Sequence, residues 1–447
     1  MEKDIYLVVA DTLTAFNLPT YGYERDTAPF LTELAEENTV FKQAYAPAPW
    51  TVPVHASMFS GEMPDVCGTH SESLTFTADS FVEDLKEEGY NTIGISNNPL
   101  VSNLLGFDRG FEYFTSQYGV YFESEEIETF SEVYDNQRKG KYNSSKEKYQ
   151  EFFKKSILNK DIRSITEALK FKIRKRKGRE SPFPDSGAGA TNKLVERKLS
   201  ESEQKSFVFL NYMETHQKFE IPEYFEDHFL GDRERDEKIY KEEIENKDPL
   251  GQDIDDEVKQ VAKDMYDSTI RYLDDRMKEL YHIAEENSDD FIFIFVGDHG
   301  EMLGEQDQTW GHHNGIWQEL IRVPAIVAGP NIESKEITDY FTLANIRKLI
   351  QGKNPEELTQ EKVFAEYRGR KNFAEEYGQG LPEDESKMRY YDNKAFSVVE
   401  GGKMKVKSTE MQSYVYKVKQ LNKGEREFMK SMPKSLKYRY GLGDFNK

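Results

Sequence analysis

The chain has 447 residues, enough for one large α/β domain and a smaller one, and it is 37% hydrophobic and 13% aromatic. Its formal net charge of −22 argues against general nucleic-acid binding and predicts good solubility. The sequence has no run of roughly 18 apolar residues that could span a membrane. Its single cysteine, Cys67, excludes an intrachain disulfide. With a first strand expected at about residue 4 and no room before it for a signal peptide, these features favour a cytoplasmic location.

Short apolar runs, typical of strands buried on both faces, alternate with segments of helical periodicity. The strand runs are 5–10, 92–96, 207–213, 291–296 and 325–328, and the helical segments are 27–37, 79–89, 256–286 and 315–320. This alternation predicts an α/β fold with a mostly parallel sheet sandwiched by helices. Short alternating stretches after about residue 388 predict a small antiparallel sheet. We therefore expect a main domain at 1–385 and a small C-terminal subdomain at 386–447.

Within the main domain, residues 134–205 have the composition of a basic helical insertion. Between 138 and 179 there are sixteen Lys or Arg residues and four acidic ones, in a chain that is otherwise strongly acidic. Apolar residues fall near helical spacing at Ile157, Leu158, Ile162, Ile165, Leu169 and Ile173. The pattern fits a solvated helix pair packed on the domain, and the alternative is an amphipathic patch for an anionic membrane surface or a polyanionic substrate. The alternative would place the protein at the periphery of a membrane.

A second charged segment, 231–258, is dominated by Arg, Glu, Asp and Lys, and we expect it to form a surface loop or lid.

Two of the predicted strands end in side chains that can bind a metal ion. The run 5–10 leads directly into Asp11, and the run 291–296 leads through Gly297 into Asp298 and His299. In open α/β sheets, ligands bind at the carboxyl ends of the strands. Two carboxylates and an imidazole brought together there predict a divalent-metal site, and therefore a metalloenzyme.

A third segment, 47–61, is rich in turn formers and then opens a predicted helix that contains Thr51. A hydroxyl at a helix N-terminus lies among free backbone N–H groups, which favour an anionic group. Thr51 is therefore a candidate nucleophile, although threonine is also a common N-cap residue. Ser57 is a rival that lies further inside the helix.

Several ordered motifs, taken together, resemble the sulfatase family of the alkaline phosphatase superfamily. They are Asp11-Thr12-Leu13, Tyr21-Gly22-Tyr23, Thr27-Ala28-Pro29, Ala44-Tyr45-Ala46-Pro47, the segment 51–61, Ser96-Asn97-Asn98, the segment 106–111, Tyr272-Leu273-Asp274-Asp275, the segment 297–305, Gly311-His312-His313 and Arg322-Val323-Pro324. The resemblance implies an alkaline-phosphatase-like fold and makes 1–385 the catalytic domain.

The resemblance also implies roles for individual residues, and the departures from the family pattern are informative. Thr51 stands where the family signature carries a Cys or Ser that becomes formylglycine, and His55 stands where Arg is usual. A threonine cannot become formylglycine, so the pattern looks more like the phosphoglycerol-transferase and phosphodiesterase branch. There, Asp11, Thr51, Asp298 and His299 would hold one Mn²⁺ or Mg²⁺ ion, with Ca²⁺ and Zn²⁺ as alternatives. Thr51 would also be the nucleophile.

The remaining histidines of the motifs are candidates for contacting the substrate. His216 matches a family position that contacts substrate oxygens, and His55 and His313 could bind the transferring group or protonate the leaving oxygen. His312 stands where some relatives have Lys and could bind an equatorial oxygen. An anion placed between a metal and these groups would be stabilised during transfer.

The resulting hypothesis is a metal-dependent hydrolase or transferase that cleaves an anionic phosphate ester or phosphodiester through Thr51. One alternative is a sulfuric ester hydrolase that works without formylglycine. Another is a catalytically silent anion-binding protein, because relatives often carry Arg-Ala-Asp-His where this chain has Thr14-Ala15-Phe16-Asn17.

Overall fold

The structure is a computed structural model that describes residues 3–71, 73–127, 129, 132–133, 144–176, 185–226, 228–245, 254–305, 310–312, 315–369, 394–401 and 403–408. None of the helices within these ranges has both the length and the apolar composition needed to cross a bilayer.

The described residues form fourteen strands, nine of which make a central sheet. They are β1 (Asp4–Ala10), β2 (Thr39–Tyr45), β3 (Asn91–Ser96), β4 (Tyr113–Ser116), β5 (Ser206–Tyr212), β6 (Phe291–Gly297), β7 (Met302–Leu303), β8 (Trp310–Gly311), β9 (Arg322–Val323), β10 (Ala325–Ala328), β11 (Lys335–Thr342), β12 (Lys362–Arg368), β13 (Lys394–Glu400) and β14 (Lys403–Ser408). The order in the central sheet is β11-β2-β10-β6-β1-β5-β3-β4, and β9 pairs with β2. Its pairings are parallel except those of β9 and β10, which are antiparallel to their partners.

Helices cover both faces of this sheet. They are α1 (Pro29–Glu37), α2 (Thr51–Ser60), α3 (Pro64–Cys67), α4 (Phe81–Glu87), α5 (Tyr118–Ser124), α6 (Ser145–Leu158), α7 (Ile162–Arg176), α8 (Ala188–Ser200), α9 (Arg233–Tyr240), α10 (Asp256–Asn287), α11 (Gln318–Ile321) and α12 (Ile346–Ile350). Shorter 3-10 turns lie at Ala15–Asn17, Pro19–Tyr21, Asn103–Leu105, Leu343–Asn345 and Pro355–Leu358, and a π-helical turn lies at Lys241–Glu245.

The central position of β1 explains why its sequence is apolar throughout. Ile5, Leu7 and Val9 belong to one hydrophobic cluster, and the alternate residues of the same strand belong to a second cluster on the other face. Successive side chains of a strand point to opposite faces, so a strand covered on both sides must be apolar at every position. The predicted α/β architecture with a mostly parallel sheet is confirmed.

The strands that the sequence did not predict lie toward the edge of the sheet. The β2 sequence Thr39–Tyr45 carries Lys42 and Gln43 at partly exposed positions, and the edge strand β11 is exposed along much of its length. Half-buried strands of this kind lack the continuous apolar run used to find the buried ones. The segment 231–258, expected as a surface loop or lid, instead forms α9, the π-helical turn and the start of α10 within its described part.

A small antiparallel sheet of β12, β13 and β14 forms the C-terminal part of the described chain. This confirms the small antiparallel sheet predicted from the alternating stretches. Its first strand, Lys362–Arg368, precedes the expected boundary at 385/386, which stays a prediction. The last alternating stretch, 414–418, lies outside the described residues.

Helix α1 is fixed to the long helix α10 by one buried carboxylate. Asp274 Oδ1 accepts the backbone N–H of Leu31 at 2.8 Å, and Oδ2 accepts that of Phe30 at 2.9 Å. These two N–H groups belong to the first turn of α1, whose N-cap residue Ala28 provides no side-chain hydrogen bond. Asp274 therefore caps α1 from a distant part of the sequence.

We predict that Asp274→Ala lowers the free energy of unfolding by about 2 kcal/mol, because it leaves one buried and one partly buried N–H donor without their acceptor. Urea denaturation measures this loss, and Asp275→Ala, at the partly exposed neighbouring position, is the matched control. Equal losses for the two variants would show that Asp274 does not cap α1.

Candidate metal centre

Asp11, Asp298 and His299 converge at the carboxyl ends of two adjacent strands. β1 and β6 are parallel and in register, with Ala10 opposite Gly297, so the residues that follow them meet at the same sheet edge. One ligand atom from each of the three side chains lies within 4.8 Å of the others, and all three residues are buried. The geometry therefore brings together the three ligands predicted from the two strand ends.

Two glycines allow the chain to make this turn. A Cβ atom on Gly297 would collide with the carbonyl oxygen of Leu13, and one on Gly300 would collide with that of Glu319. Both obstacles are backbone atoms that cannot swing away. The glycines on either side of Asp298 and His299 are therefore required by close backbone packing.

The opposite side of the site contains a strained residue, Thr12, which follows Asp11. Its φ of 59° lies in the left-handed region, which a β-branched residue rarely adopts. Three hydrogen bonds hold it there: Thr12 N–H donates to Asp298 Oδ1 at 3.0 Å, its hydroxyl donates to the Thr215 carbonyl at 2.6 Å, and Tyr266 donates to its carbonyl at 2.6 Å. The strained conformation lets the backbone N–H of Thr12 orient the carboxylate of Asp298.

Each carboxylate has one oxygen bound to the protein and one without a hydrogen-bond partner among the described residues. Asp11 Oδ2 accepts from Asn98 Nδ2 at 2.6 Å, and Asp298 Oδ1 accepts from the backbone N–H groups of Thr12 and His299. Asp11 Oδ1 and Asp298 Oδ2 are buried and unpaired. Burial raises the pKa of Asp298 well above its usual value, and the nearby Asp11 raises it further. Two orphaned carboxylate oxygens side by side fit a divalent cation.

His299 presents the correct ring nitrogen to this position. Its Nδ1 lies 3.0 Å from the carbonyl oxygen of Gly300, which can only accept, so Nδ1 carries the proton. Burial lowers the pKa of His299 well below its usual value, and His312 lowers it further, so the ring is neutral. Nε2 then offers a lone pair 3.8 Å from Asp11 Oδ1 and 3.5 Å from Asp298 Oδ2. A neutral imidazole whose other ring nitrogen donates to a carbonyl oxygen is the usual form of a histidine ligand.

Thr51 completes the site from the third segment. It is the first residue of α2, and its Oγ1 lies 3.2 Å from His299 Nε2 and 3.4 Å from Asn98 Nδ2. The N-cap residue of this ten-residue helix, Trp50, provides no side-chain hydrogen bond to its first turn. Asp11, Thr51, Asp298 and His299 would thus hold a metal ion together.

His55 lies beneath this position and is fully buried. Its Nδ1 lies 2.9 Å from the Thr51 carbonyl oxygen, and its Nε2 lies 3.3 Å from Asn211 Nδ2. Its ring packs edge-on against Phe107 and Phe209, and burial lowers its pKa to about 4. Both ring nitrogens of His55 therefore contact protein groups, and one of these groups is the carbonyl of the first residue of α2. A catalytic role for His55 stays a prediction.

His312 and His216 lie on the other side of His299. The His312 ring is 4.6 Å from that of His299 and 5.1 Å from that of His216. His312 Nδ1 lies 3.0 Å from Glu301 Oε2, and burial raises the pKa of Glu301 to about 8. His216 Nδ1 lies 2.7 Å from the Gln217 carbonyl oxygen. The third candidate, His313, lies outside the described residues.

Three residues of the site were not assigned roles from the sequence. Asn98 and Asn211 supply amide groups to Asp11 and His55, and Glu301 orients His312. Asn98 Oδ1 accepts from Leu100 N–H at 2.7 Å, which fixes its amide with Nδ2 toward Asp11. Both asparagines lie at the carboxyl ends of strands, β3 and β5, so the rule that identified Asp11 could have identified them.

We predict that Mn²⁺ or Mg²⁺ at saturating concentration raises the Tm of the protein by roughly 3–5 °C, because a ligand of the native state stabilises it by mass action. The pKa of Asp298 is raised in the native state. Without metal, this carboxyl therefore contributes stability at low pH, and that stability is lost as the pH rises above about 4, the pKa of Asp in the unfolded chain. The metal-induced rise in Tm should therefore grow with pH, because fewer protons compete with the metal for the Asp298 carboxylate.

Asp298→Asn is the sharpest variant for this prediction, because its amide oxygen can still accept the two N–H groups while the charge is removed. Differential scanning calorimetry at several pH values should show a Tm that is insensitive to metal. A metal-induced rise in Asp298→Asn equal to that of the wild type would exclude Asp298 as a ligand.

Known proteins resemble this chain in part of its sequence or in its fold. A choline-sulfatase of Rhizobium meliloti (strain 1021) is 34% identical over 82 residues, which are 18% of this chain and only 16% of that curated relative. The phosphonate monoester hydrolase of Agrobacterium radiobacter has the same fold, with a TM-score of 0.60 and 13% identity over 98% of this chain and 94% of that one. A 2-O GAG sulfatase has a TM-score of 0.56 and 13% identity over 100% and 92% of the two chains.

The expected alkaline-phosphatase-like architecture is thereby confirmed. The sequence model of the family described as Sulfatase matches residues 3–352, a range that includes every site residue named above. The chain belongs to the sulfatase family.

Proposed function

We propose that the protein is a metal-dependent hydrolase or transferase that cleaves a phosphate ester or phosphodiester through Thr51. The observation that carries this proposal is the position of Thr51 Oγ1, 3.2 Å from His299 Nε2 at the uncapped N-terminus of α2. A hydroxyl there lies beside the metal ligands and beside free backbone N–H groups, both of which favour a negatively charged oxygen.

The proposed reaction has two steps. Thr51 Oγ loses its proton to water and forms a bond to the phosphorus atom, while the bond from phosphorus to the substrate alcohol breaks. The alcohol leaves with a proton, and Thr51 carries the phosphoryl group as an ester. Water or a second alcohol then attacks this phosphorus and restores the Thr51 hydroxyl. A bound divalent cation would supply positive charge to the transferring group and lower the pKa of the attacking hydroxyl.

The leaving alcohol needs a proton donor on the opposite side of the transferring group. His312 and His216 pack against each other beside His299, which places them where they could bind the anion or protonate the leaving oxygen. Glu301 contacts Nδ1 of His312, so Nε2 is the atom through which His312 would act. We assign Glu301 a positioning role.

A sulfate ester is the second candidate substrate, because the family and the choline-sulfatase match both favour it. Thr51 argues against it, since a threonine cannot form the hydrated aldehyde with which sulfatases release sulfate. A silent binding protein is disfavoured by the convergence of Asp11, Asp298 and His299. The residues Thr14–Asn17 that motivated this alternative have structural bonds instead, such as Asn17 Nδ2 to Asp267 at 2.8 Å.

The nature of the metal and the cellular location are further parts of the proposal. Two carboxylates, a hydroxyl and an imidazole suit Mn²⁺ or Mg²⁺, and Zn²⁺ or Ca²⁺ are alternatives that metal analysis would distinguish. A cytoplasmic location is supported by Cys67, which is buried and is the single cysteine of the chain.

We predict that Thr51→Ala lowers kcat/KM by at least ~10³-fold, because it removes the attacking oxygen, and that Thr51→Ser retains activity within about 100-fold. The measurement is turnover of four 4-nitrophenyl reporters, a phosphodiester, a phosphomonoester, a phosphonate monoester and a sulfate, with Mn²⁺ or Mg²⁺ present. Ser57→Ala is the matched control, since Ser57 lies buried in the second turn of the same helix. Activity that survives Thr51→Ala but not Ser57→Ala would move the nucleophile to Ser57, and a preference for the sulfate would overturn the substrate class.

A second prediction separates positioning by Glu301 from a purely structural role. Glu301→Ala should slow esters with poor leaving groups by about 100-fold and 4-nitrophenyl esters by less than tenfold, because a good leaving group needs little proton donation. Glu305→Ala is the control, since Glu305 contacts the backbone N–H of Leu303 instead of a histidine. An equal loss for both leaving groups would contradict the assignment.

A further inference from the structure

The exposed apolar side chains of the protein are concentrated in one short stretch. Ten large hydrophobic residues are exposed among the described residues, and six of them fall between positions 149 and 169. These six, which we call the apolar crest, are Tyr149, Phe153, Ile157, Leu158, Ile162 and Leu169, with exposed fractions of 45–72%. A cluster of this kind on a soluble protein marks an interaction surface.

The crest lies on a helical hairpin. Helices α6 and α7 pack against each other and are joined by only three residues, Asn159 to Asp161. Tyr149, Phe153 and Ile157 recur at four-residue spacing and form one stripe along α6. Leu158 and Ile162 lie on the two sides of the turn. The exposed apolar surface therefore runs along one helix and around the tip of the hairpin.

Several contacts between the hairpin and the rest of the protein are made by polar groups. Tyr121 donates to Glu167, Arg163 pairs with Glu126 at 3.1 Å, and the Thr129 N–H donates to Asp161 at 3.2 Å. A helix on a protein surface normally turns its apolar stripe inward and its charges outward. Here the six large apolar residues of the crest are exposed, although Phe152 is buried.

The charge of the segment indicates what covers this surface. The range 138–179 carries sixteen basic and four acidic residues, while the whole chain has a net charge of −22. Basic and apolar residues alternate along this part of the sequence, and Lys148 Nζ is 5.4 Å from the centre of the Tyr149 ring. The C-terminal range 409–447, with nine basic and four acidic residues, has the same sign and does not complement the hairpin.

An anionic lipid surface complements both properties of the hairpin. Its head groups attract the basic residues, and its acyl boundary accepts protruding apolar side chains one by one. A folded protein partner would instead need a groove shaped to the tip of the hairpin. We propose that the α6–α7 hairpin binds the protein to an anionic membrane by inserting the apolar crest into the interface.

Co-sedimentation with vesicles tests this proposal. The full-length protein should bind vesicles of phosphatidylglycerol and phosphatidylcholine, bind vesicles of phosphatidylcholine alone far more weakly, and bind less as salt is raised. The triple variant Ile157→Ser, Leu158→Ser, Ile162→Ser should bind the anionic vesicles about tenfold more weakly or worse. Leu104→Ser removes an equally exposed apolar residue elsewhere and should bind like the wild type.

A fluorescent label distinguishes insertion from electrostatic adhesion alone. Cys67 is buried, so Leu158→Cys and the control Leu104→Cys can each be labelled selectively with an environment-sensitive dye. Anionic vesicles should shift the emission of the label at 158 to the blue and leave that at 104 unchanged.

Three results would overturn the proposal. In the first, the wild-type protein stays in the supernatant. In the second, the triple variant binds anionic vesicles as tightly as the wild type. In the third, the emission of the label at 158 does not shift to the blue when anionic vesicles are added. If the wild type ignores vesicles but self-associates in sedimentation velocity, and the triple variant does not, the crest is an interface between two copies of the chain. Circular dichroism of the triple variant checks that the fold is retained.

Discussion

The organising constraint of this structure is the repulsion between two buried carboxylates, Asp11 and Asp298. The sheet forces them together, because β1 and β6 are parallel neighbours in register and each ends at an aspartate. Two unit charges no more than 4.8 Å apart would repel by at least about 3 kcal/mol at an effective dielectric constant of about 20. Among the described residues no Lys or Arg pairs with either carboxylate, and the nearby His55 and His299 have lowered pKa values. The fold thus concentrates negative charge that none of these groups neutralises. A bound cation would neutralise it.

The surrounding groups maintain this arrangement. The strained Thr12 backbone and the N–H of His299 fix one oxygen of Asp298, and Asn98 fixes one oxygen of Asp11. All of these donors are neutral, so they orient the carboxylates without cancelling their charge. His55 links Thr51 to this network of neutral groups. It contacts the carbonyl oxygen of Thr51, the first residue of α2, and its other ring nitrogen contacts Asn211. Preorganised neutral donors keep the site geometry fixed before any ligand arrives.

The sequence predicted the parts of the molecule that carry strong local signals. Buried strands such as 5–10 and 291–296 are continuous apolar runs, and their last residues were sufficient to place Asp11, Asp298 and His299 at one edge. The partly exposed β2 and β11 lack that pattern and were not predicted. Contacts between different segments could not be predicted from the sequence either. The pairing of Glu301 with His312 and that of Asn211 with His55 depend on loop geometry. The place of Thr51 at the start of a predicted helix and the family resemblance both indicated this residue, whose hydroxyl the structure places beside His299.

The overall charge of the protein and the charge of its proposed substrate have the same sign, so local charges must decide binding. A net charge of −22 repels an anionic ester at long range, but screening limits that repulsion to about 8 Å at physiological ionic strength. Within that distance, the bound cation and the N-terminus of α2 would determine the field at Thr51. The basic segment 138–179 would have the same effect at the proposed membrane contact, because its sequence is rich in Lys and Arg while the whole chain is acidic. In both proposals a local concentration of positive charge would let an acidic protein bind an anionic partner.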